Sequence, residues 1–253
     1  MSMNNDNTSL DPYKVDFFHD FMLFVKYLEE QPIKRTATGM ISLSDIKSLF
    51  TDFKNQKTIK EFQHFGWTLR REEELDFLEQ IKIISELMFV IYKRKGYFHL
   101  SKHGKAFLNN LKPIDQYKEM VLHFWYKVNW GYFSRIGKII EGANLAEKLQ
   151  QHQNMIWKTL LAKGTDWLDY KIFCQSLSDY LHLDDYFITT YPPYEKETPD
   201  FDYELFYRNL VRFGCVELEV EHGKSKYDKK IVRFRSTNLG LYAYHKALYE
   251  NYL

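Results

Sequence analysis

The sequence predicts a mainly α chain with small β-hairpins, built as two related modules joined by a helical, aromatic-rich middle. Three observations carry that expectation. A hairpin-like stretch that runs into a helix through a hydroxyl residue, two spacers and glycine occurs twice. Elsewhere, apolar residues recur at helical rather than alternating spacing. The densest aromatic cluster, Phe124, Trp125, Trp130, Tyr132 and Phe133, falls between the two copies.

Residues 1–11 read as a flexible tail, polar and Asn-rich from Met1 to Thr8. Pro12 to Glu30 reads as a helix with Val15, Phe18, Met22, Val25 and Leu28 on one stripe, and Asp11 before Pro12 is a cap with proline in the first turn. Pro32 stops it. Thr36 to Gly39 is a turn, Met40 to Leu43 a short extended piece, and Ser44 caps a helix carrying Ile46, Leu49, Phe50 and Phe53. Residues 54–71 have no single backbone reading, but Phe62, Phe65, Trp67 and Leu69 are expected inside. Glu72 to Leu87 reads as a helix with acids crowding its first turn, where the helix dipole favours them. Leu75, Leu78, Ile81, Ile84 and Ser85 share one face.

Residues 88–100 read as a hairpin around Lys95-Gly96, and Ser101 caps the helix that ends before Pro113. The helical stretch from Ile114 carries the aromatic cluster, which reads as a core hub or, more sharply, as a ligand cage. Ala143 to Ala162 and Trp167 to Leu181 read as two helices. Asp184 to Pro199 is a loop, and its Tyr191-Pro192-Pro193-Tyr194 is a stiff connector or a segment for an aromatic-lined groove. Asp200 to Phe213 is a helix that Gly214 ends; a second hairpin and a closing helix over 237–250 follow. The expected divisions are 12–112, 113–142 and 143–253.

Composition narrows the class. Of 253 residues, 45% are apolar and 17% aromatic, which excludes disorder and leaves ample core for one or two domains. Basic and acidic residues number 35 and 34, so any attraction to nucleic acid must be local. The two cysteines, Cys174 and Cys215, lack partners at metal spacing and point to a reducing, cytoplasmic setting. The longest strongly apolar run, Leu87 to Tyr92, is too short for a bilayer, and no membrane partner is expected.

Three helices, a two-stranded wing and a hydroxyl-x-x-Gly entry into a last helix resemble the winged-helix superfamily. Its bacterial members often show Leu-Thr-x-x-Gly at that entry; here the two stretches are Leu100-Ser101-Lys102-His103-Gly104 and Ser236-Thr237-Asn238-Leu239-Gly240. The resemblance covers about 32–111 and 143–250, with a longer middle at 54–71 and with Arg235 where an apolar residue usually stands. It implies DNA binding by a third helix in the major groove with the wing on the backbone or in the minor groove, and pairing into a homodimer through terminal helices.

Charge tests that implication. The first third helix carries Glu72, Glu73, Glu74, Asp76, Glu79 and Glu86 against Lys82, a surface that repels phosphate. The second begins with Asp200, Asp202 and Glu204 before Arg208 and Arg212, no better than neutral. The wings are basic. The candidate nucleic-acid contacts are Lys93, Arg94, Lys95 and Lys102 in the first, and Lys224, Lys226, Lys229, Lys230 and Arg233 in the second, where only Asp228 opposes them. Lysine on exposed turns also serves solubility and protects sheet edges. Two readings stay open: a regulator or accessory factor that holds DNA or RNA phosphates with its wings, and a protein-interaction module that has lost readout. No nucleotide loop, nucleophile signature or helical histidine pair is present, and His99 and His103 fall on different elements, so neither catalysis nor a cofactor is expected.

Overall fold

In the computed structural model, residues 10–56, 60–61, 64–66, 68–134, 144–183, 201–223 and 229–250 are described. The chain is mainly helical, with two small three-stranded antiparallel sheets. Helix α1 (Asp16–Glu30) leads to β1 (Ile33–Lys34), α2 (Leu43–Phe50), α3 (Asp76–Leu87), the hairpin β2 (Ile91–Arg94) and β3 (Tyr97–Leu100), and α4 (Lys102–Asn110). Helix α5 (Pro113–Lys127) follows, then α6 (Leu145–Gln151) and α7 (Gln153–Lys163). The order then repeats: β4 (Leu168–Asp169), α8 (Tyr170–Tyr180), α9 (Asp202–Val211), β5 (Val216–His222), β6 (Lys229–Ser236) and α10 (Asn238–Tyr249). From α1 and from α7 alike, the chain runs helix, short strand, two helices, hairpin, helix. The sheet orders, β1-β3-β2 and β4-β6-β5, correspond as well.

The repeat extends to single hydrogen bonds. Helix α3 ends with the Phe89 N–H on the Glu86 carbonyl (3.0 Å) and the Val90 N–H on the Ser85 carbonyl (2.9 Å). Helix α9 ends with the Gly214 N–H on the Val211 carbonyl and the Cys215 N–H on the Leu210 carbonyl, both at 2.8 Å. This is the Schellman pattern, and it needs a left-handed residue, here Phe89 (φ 54°) and Gly214 (φ 67°). The hydroxyl of the closing helix then bridges that residue. Ser101 Oγ donates to the Phe89 carbonyl at 2.6 Å and accepts the Gly104 N–H at 2.8 Å. Thr237 Oγ1 donates to the Gly214 carbonyl at 2.7 Å and accepts the Gly240 N–H at 2.9 Å. A β-carbon on Gly104 would strike the Val90 carbonyl oxygen, and one on Gly240 the Cys215 carbonyl oxygen. The glycines are there because the helix start rests on backbone.

A two-residue turn closes the first hairpin. Lys95 (φ 47°) and Gly96 (φ 78°) are both left-handed, the type I′ geometry that matches strand twist. One apolar core runs through both halves. Phe124, Trp125 and Trp130 are fully buried, with Trp125 stacked on Trp157 at 4.3 Å and Trp157 on Tyr244 at 5.3 Å. Tyr117 of α5 donates to the Phe213 carbonyl at 2.7 Å, and Phe17 of α1 meets Phe213 edge-on at 5.1 Å. The aromatic cluster is a core hub, except that Tyr132 is 63% exposed and donates to Glu79.

Several boundaries differ from expectation, each for a local reason. Asp11 caps a short 3-10 turn, Pro12–Lys14, rather than α1 itself. Ser42, not Ser44, caps α2, taking the Asp45 N–H at 3.3 Å. Glu72 to Leu87 is not one helix, because Leu75 leaves helical space (φ −124°, ψ 76°) and a 3-10 turn precedes α3. The helix expected from Ala143 breaks at His152 into α6 and α7, and Leu168–Asp169 forms a strand instead of a helix start. Helix α9 is wound with π-type i→i+5 bonds. Phe65 is 45% exposed, not inside. Phe62, Trp67, Tyr191 to Tyr194, Asp184 and Asp185 lie outside the described residues.

Gly104→Val and Gly240→Val are each expected to cost about 1–3 kcal/mol by forcing the closing helix off the carbonyl beneath it. Chemical-denaturation midpoints measure this; unchanged midpoints for both would remove the packing account.

Candidate functional site

Both third helices are built into the core. On α3, Phe77, Leu78, Gln80, Ile81, Lys82, Ile84 and Ser85 are buried; on α9, Glu204, Leu205, Phe206, Arg208, Asn209 and Leu210 are buried. Their charges are held internally. Glu72, just before α3, is fully buried, with Lys82 Nζ at 2.5 Å and the Ile41 N–H on its other oxygen at 2.5 Å. Arg212 reaches across from the end of α9, donating to Gln80 Oε1 at 2.5 Å and Asp76 Oδ2 at 2.9 Å. The acids that read as a phosphate-repelling surface are thus largely structural.

Within α9, Glu204 and Arg208 form an ion pair at 2.5 Å with both side chains fully buried. Ser134 Oγ donates to the other Glu204 oxygen at 2.9 Å. Burial pulls the Arg208 guanidinium below its ordinary pKa, and Glu204 opposes that pull. The Arg208 cation also lies 5.7 Å from the Tyr203 ring.

The first wing presents most of its cations to solvent. Arg94 and Lys95 sit at the turn, and Lys102 opens α4; all three are exposed. Lys93 is exposed as well, but it is ion-paired. It faces the inner side of the sheet, pairs with Glu86 at 2.6 Å and lies 5.9 Å from the Phe98 ring. The residues that register places on the outer side of this sheet are Lys34, Tyr92, Arg94, Tyr97 and His99.

Among the described residues of the second wing, the two arginines are neutralised across the strands. Arg233, expected to be a free contact, pairs across the strands with Glu219 at 2.7 Å, and Arg235 pairs with Glu217 at 2.7 Å. Both guanidiniums lie 4.8 Å from the Trp167 ring. Register sets Glu221 opposite Lys230 and His222 opposite Lys229, and both lysines are exposed. Lys224 and Lys226 lie outside the described residues. Counting cations along the chain missed the alternating Glu217 and Glu219, which pairing the strands backward from Ser236 would have matched to Arg235 and Arg233; Glu221 meets Lys230 only through the register shift after Glu219.

Other chemistry is sparse. A cleft of about 320 Å³ between the Thr36–Thr38 turn and Arg70–Arg71 contains hydroxyls, guanidiniums and the inward-bound Glu72. Burial raises both thiols to about 12, Cys174 and Cys215 alike, so neither is a thiolate at neutral pH. Among the described residues, no group of three or more His, Cys, Asp or Glu could hold a metal ion. None of the described helices is long and apolar enough to cross a membrane. The chain matches no protein-family model, no curated protein and no solved structure.

Arg208→Met should cost about 3–5 kcal/mol, because it removes the cation paired with the buried Glu204 carboxylate; Glu204→Met/Arg208→Met together should recover much of that loss. Denaturation of the two variants tests the pair, and a double variant no more stable than the single would contradict it.

Proposed function

We propose that this protein is a non-enzymatic nucleic-acid-binding regulator or accessory factor that holds phosphates with its first wing. The supporting observation is the contrast between elements. Both third helices are largely buried and several of their charges are taken up in ion pairs, so neither offers a basic face for reading the major groove. Arg94, Lys95 and Lys102 stand exposed on the first wing and make no ion pair among the described residues. Cations of that kind engage a phosphate backbone without reading bases. The resemblance to winged-helix proteins, whose wing touches the backbone or the minor groove, supports this reading.

The burial of the third helices also favours a second reading, a protein-interaction module whose first wing docks an acidic partner surface. Salt-dependent binding separates the two. Arg94→Glu/Lys95→Glu/Lys102→Glu should weaken binding to DNA or RNA at least tenfold and flatten the log–log salt slope by about two to three charges. Arg233→Gln, in the self-paired second wing, should leave affinity nearly unchanged. Gel-shift titrations at two salt concentrations check both, and wild-type protein that binds neither DNA nor RNA would leave the protein-partner reading.

A further inference from the structure

We infer that the outer face of the first sheet is a platform for single-stranded nucleic acid, with the Tyr92 and Tyr97 rings stacking on bases and Lys34, Arg94 and Lys95 holding the backbone. The inference rests on the nucleic-acid reading above and names the form of its ligand.

The two sheets share one topology, so the second serves as an internal control for the first. In the second, the outward positions carry Glu217, Glu219, Asp169, Arg233 and Arg235, and the Glu–Arg pairs cancel across the strands. In the first, the outward positions carry Lys34, Tyr92, Arg94, Tyr97 and His99, with no carboxylate among them. The same scaffold neutralises one face and leaves the other cationic and aromatic.

The rings are arranged for stacking. Tyr92 lies on His99 at 5.3 Å with 24° between planes, and Tyr97 lies 6.2 Å from His99 on its other flank. Tyr92 is 43% exposed and Tyr97 38%. Cross-strand stacking stabilises a hairpin and accounts for Tyr92 on His99. It does not account for a second exposed tyrosine between Lys34 and Arg94, its register partners.

A further residue points the same way. Phe89 enters this hairpin in the left-handed position where the second copy has Gly214, and it is 76% exposed. A bulky side chain there is disfavoured by backbone and solvent alike, so the fold does not call for it.

A cationic surface interleaved with exposed rings suits unpaired bases, whose faces are free; a duplex hides its base faces and offers mainly phosphates. The occupant is therefore single-stranded, as DNA or RNA.

The test uses fluorescence anisotropy with the full chain and three probes: an oligothymidylate and an oligouridylate of about 15 nucleotides, and a duplex of similar length. Wild type should bind the single strands more tightly than the duplex. Tyr92→Ala/Tyr97→Ala should weaken single-strand binding about tenfold per ring, with the salt slope and duplex affinity unchanged and the thermal melt lowered only by the lost Tyr92–His99 stack. Tyr92→Phe/Tyr97→Phe should retain affinity, since the ring and not the hydroxyl makes the contact. The two single-strand probes tell DNA from RNA. Unchanged single-strand affinity in the alanine variant, or an equal loss for single strand and duplex, overturns the platform while leaving the phosphate reading intact, provided Arg94→Glu/Lys95→Glu still weakens all three. Absence of binding to every probe overturns both.

Discussion

Each half of the fold depends on one hydroxyl and one missing side chain. Ser101 and Thr237 each receive an amide from the helix they begin and give their proton to a left-handed carbonyl at the end of the preceding third helix. A hydroxyl is the smallest side chain that can do both at once. The glycines let the new helix sit on the carbonyl one residue further along. Third helix, hairpin and closing helix are thereby locked at a single point, and the wing's direction follows from it.

That lock, and the polar ties around it, settle which surfaces remain for partners. Arg212 joins the two third helices through Asp76 and Gln80, Glu72 faces Lys82, and Glu204 faces Arg208 within α9. Buried pairs of this kind contribute little net stability against well-packed apolar residues, but either partner alone is costly. They take both third helices out of the molecule's outward chemistry. On the first hairpin and at the start of α4, Arg94, Lys95 and Lys102 face outward with no ion pair among the described residues.

The sequence showed the parts whose chemistry is local. The Lys95-Gly96 turn was legible because few residue pairs adopt two successive left-handed conformations, and Ser101-x-x-Gly104 because a cap and a bare α-carbon announce themselves over four residues. The buried aromatic hub followed from the density of large rings over 124–133. Other features had no local signature. β1 and β4 are two residues long, too short for any alternation to show. The break at Leu75 and the π winding of α9 have no turn or breaker residue to announce them. Glu72 looked like a surface acid because its partner Lys82 stands ten positions away and the Ile41 amide earlier still. At the candidate site, Arg94, Lys95 and Lys102 could be read directly. The pairing of Arg233 with Glu219 needed strand register, and so did the recognition that Tyr92, Tyr97 and His99 share one face.

The Arg212 tie also bears on how the chain is made. Asp76 and Gln80 are synthesised 136 and 132 residues before the guanidinium that binds them. Tyr117 likewise precedes the carbonyl that receives its proton by 96 residues. The amino-terminal half therefore leaves the ribosome with its polar junction open and part of its apolar surface uncovered, and it reaches its final form only after most of the chain has emerged. Loop closure over such distances slows folding. The two halves, alike in plan, thus complete their shared contacts only late in synthesis.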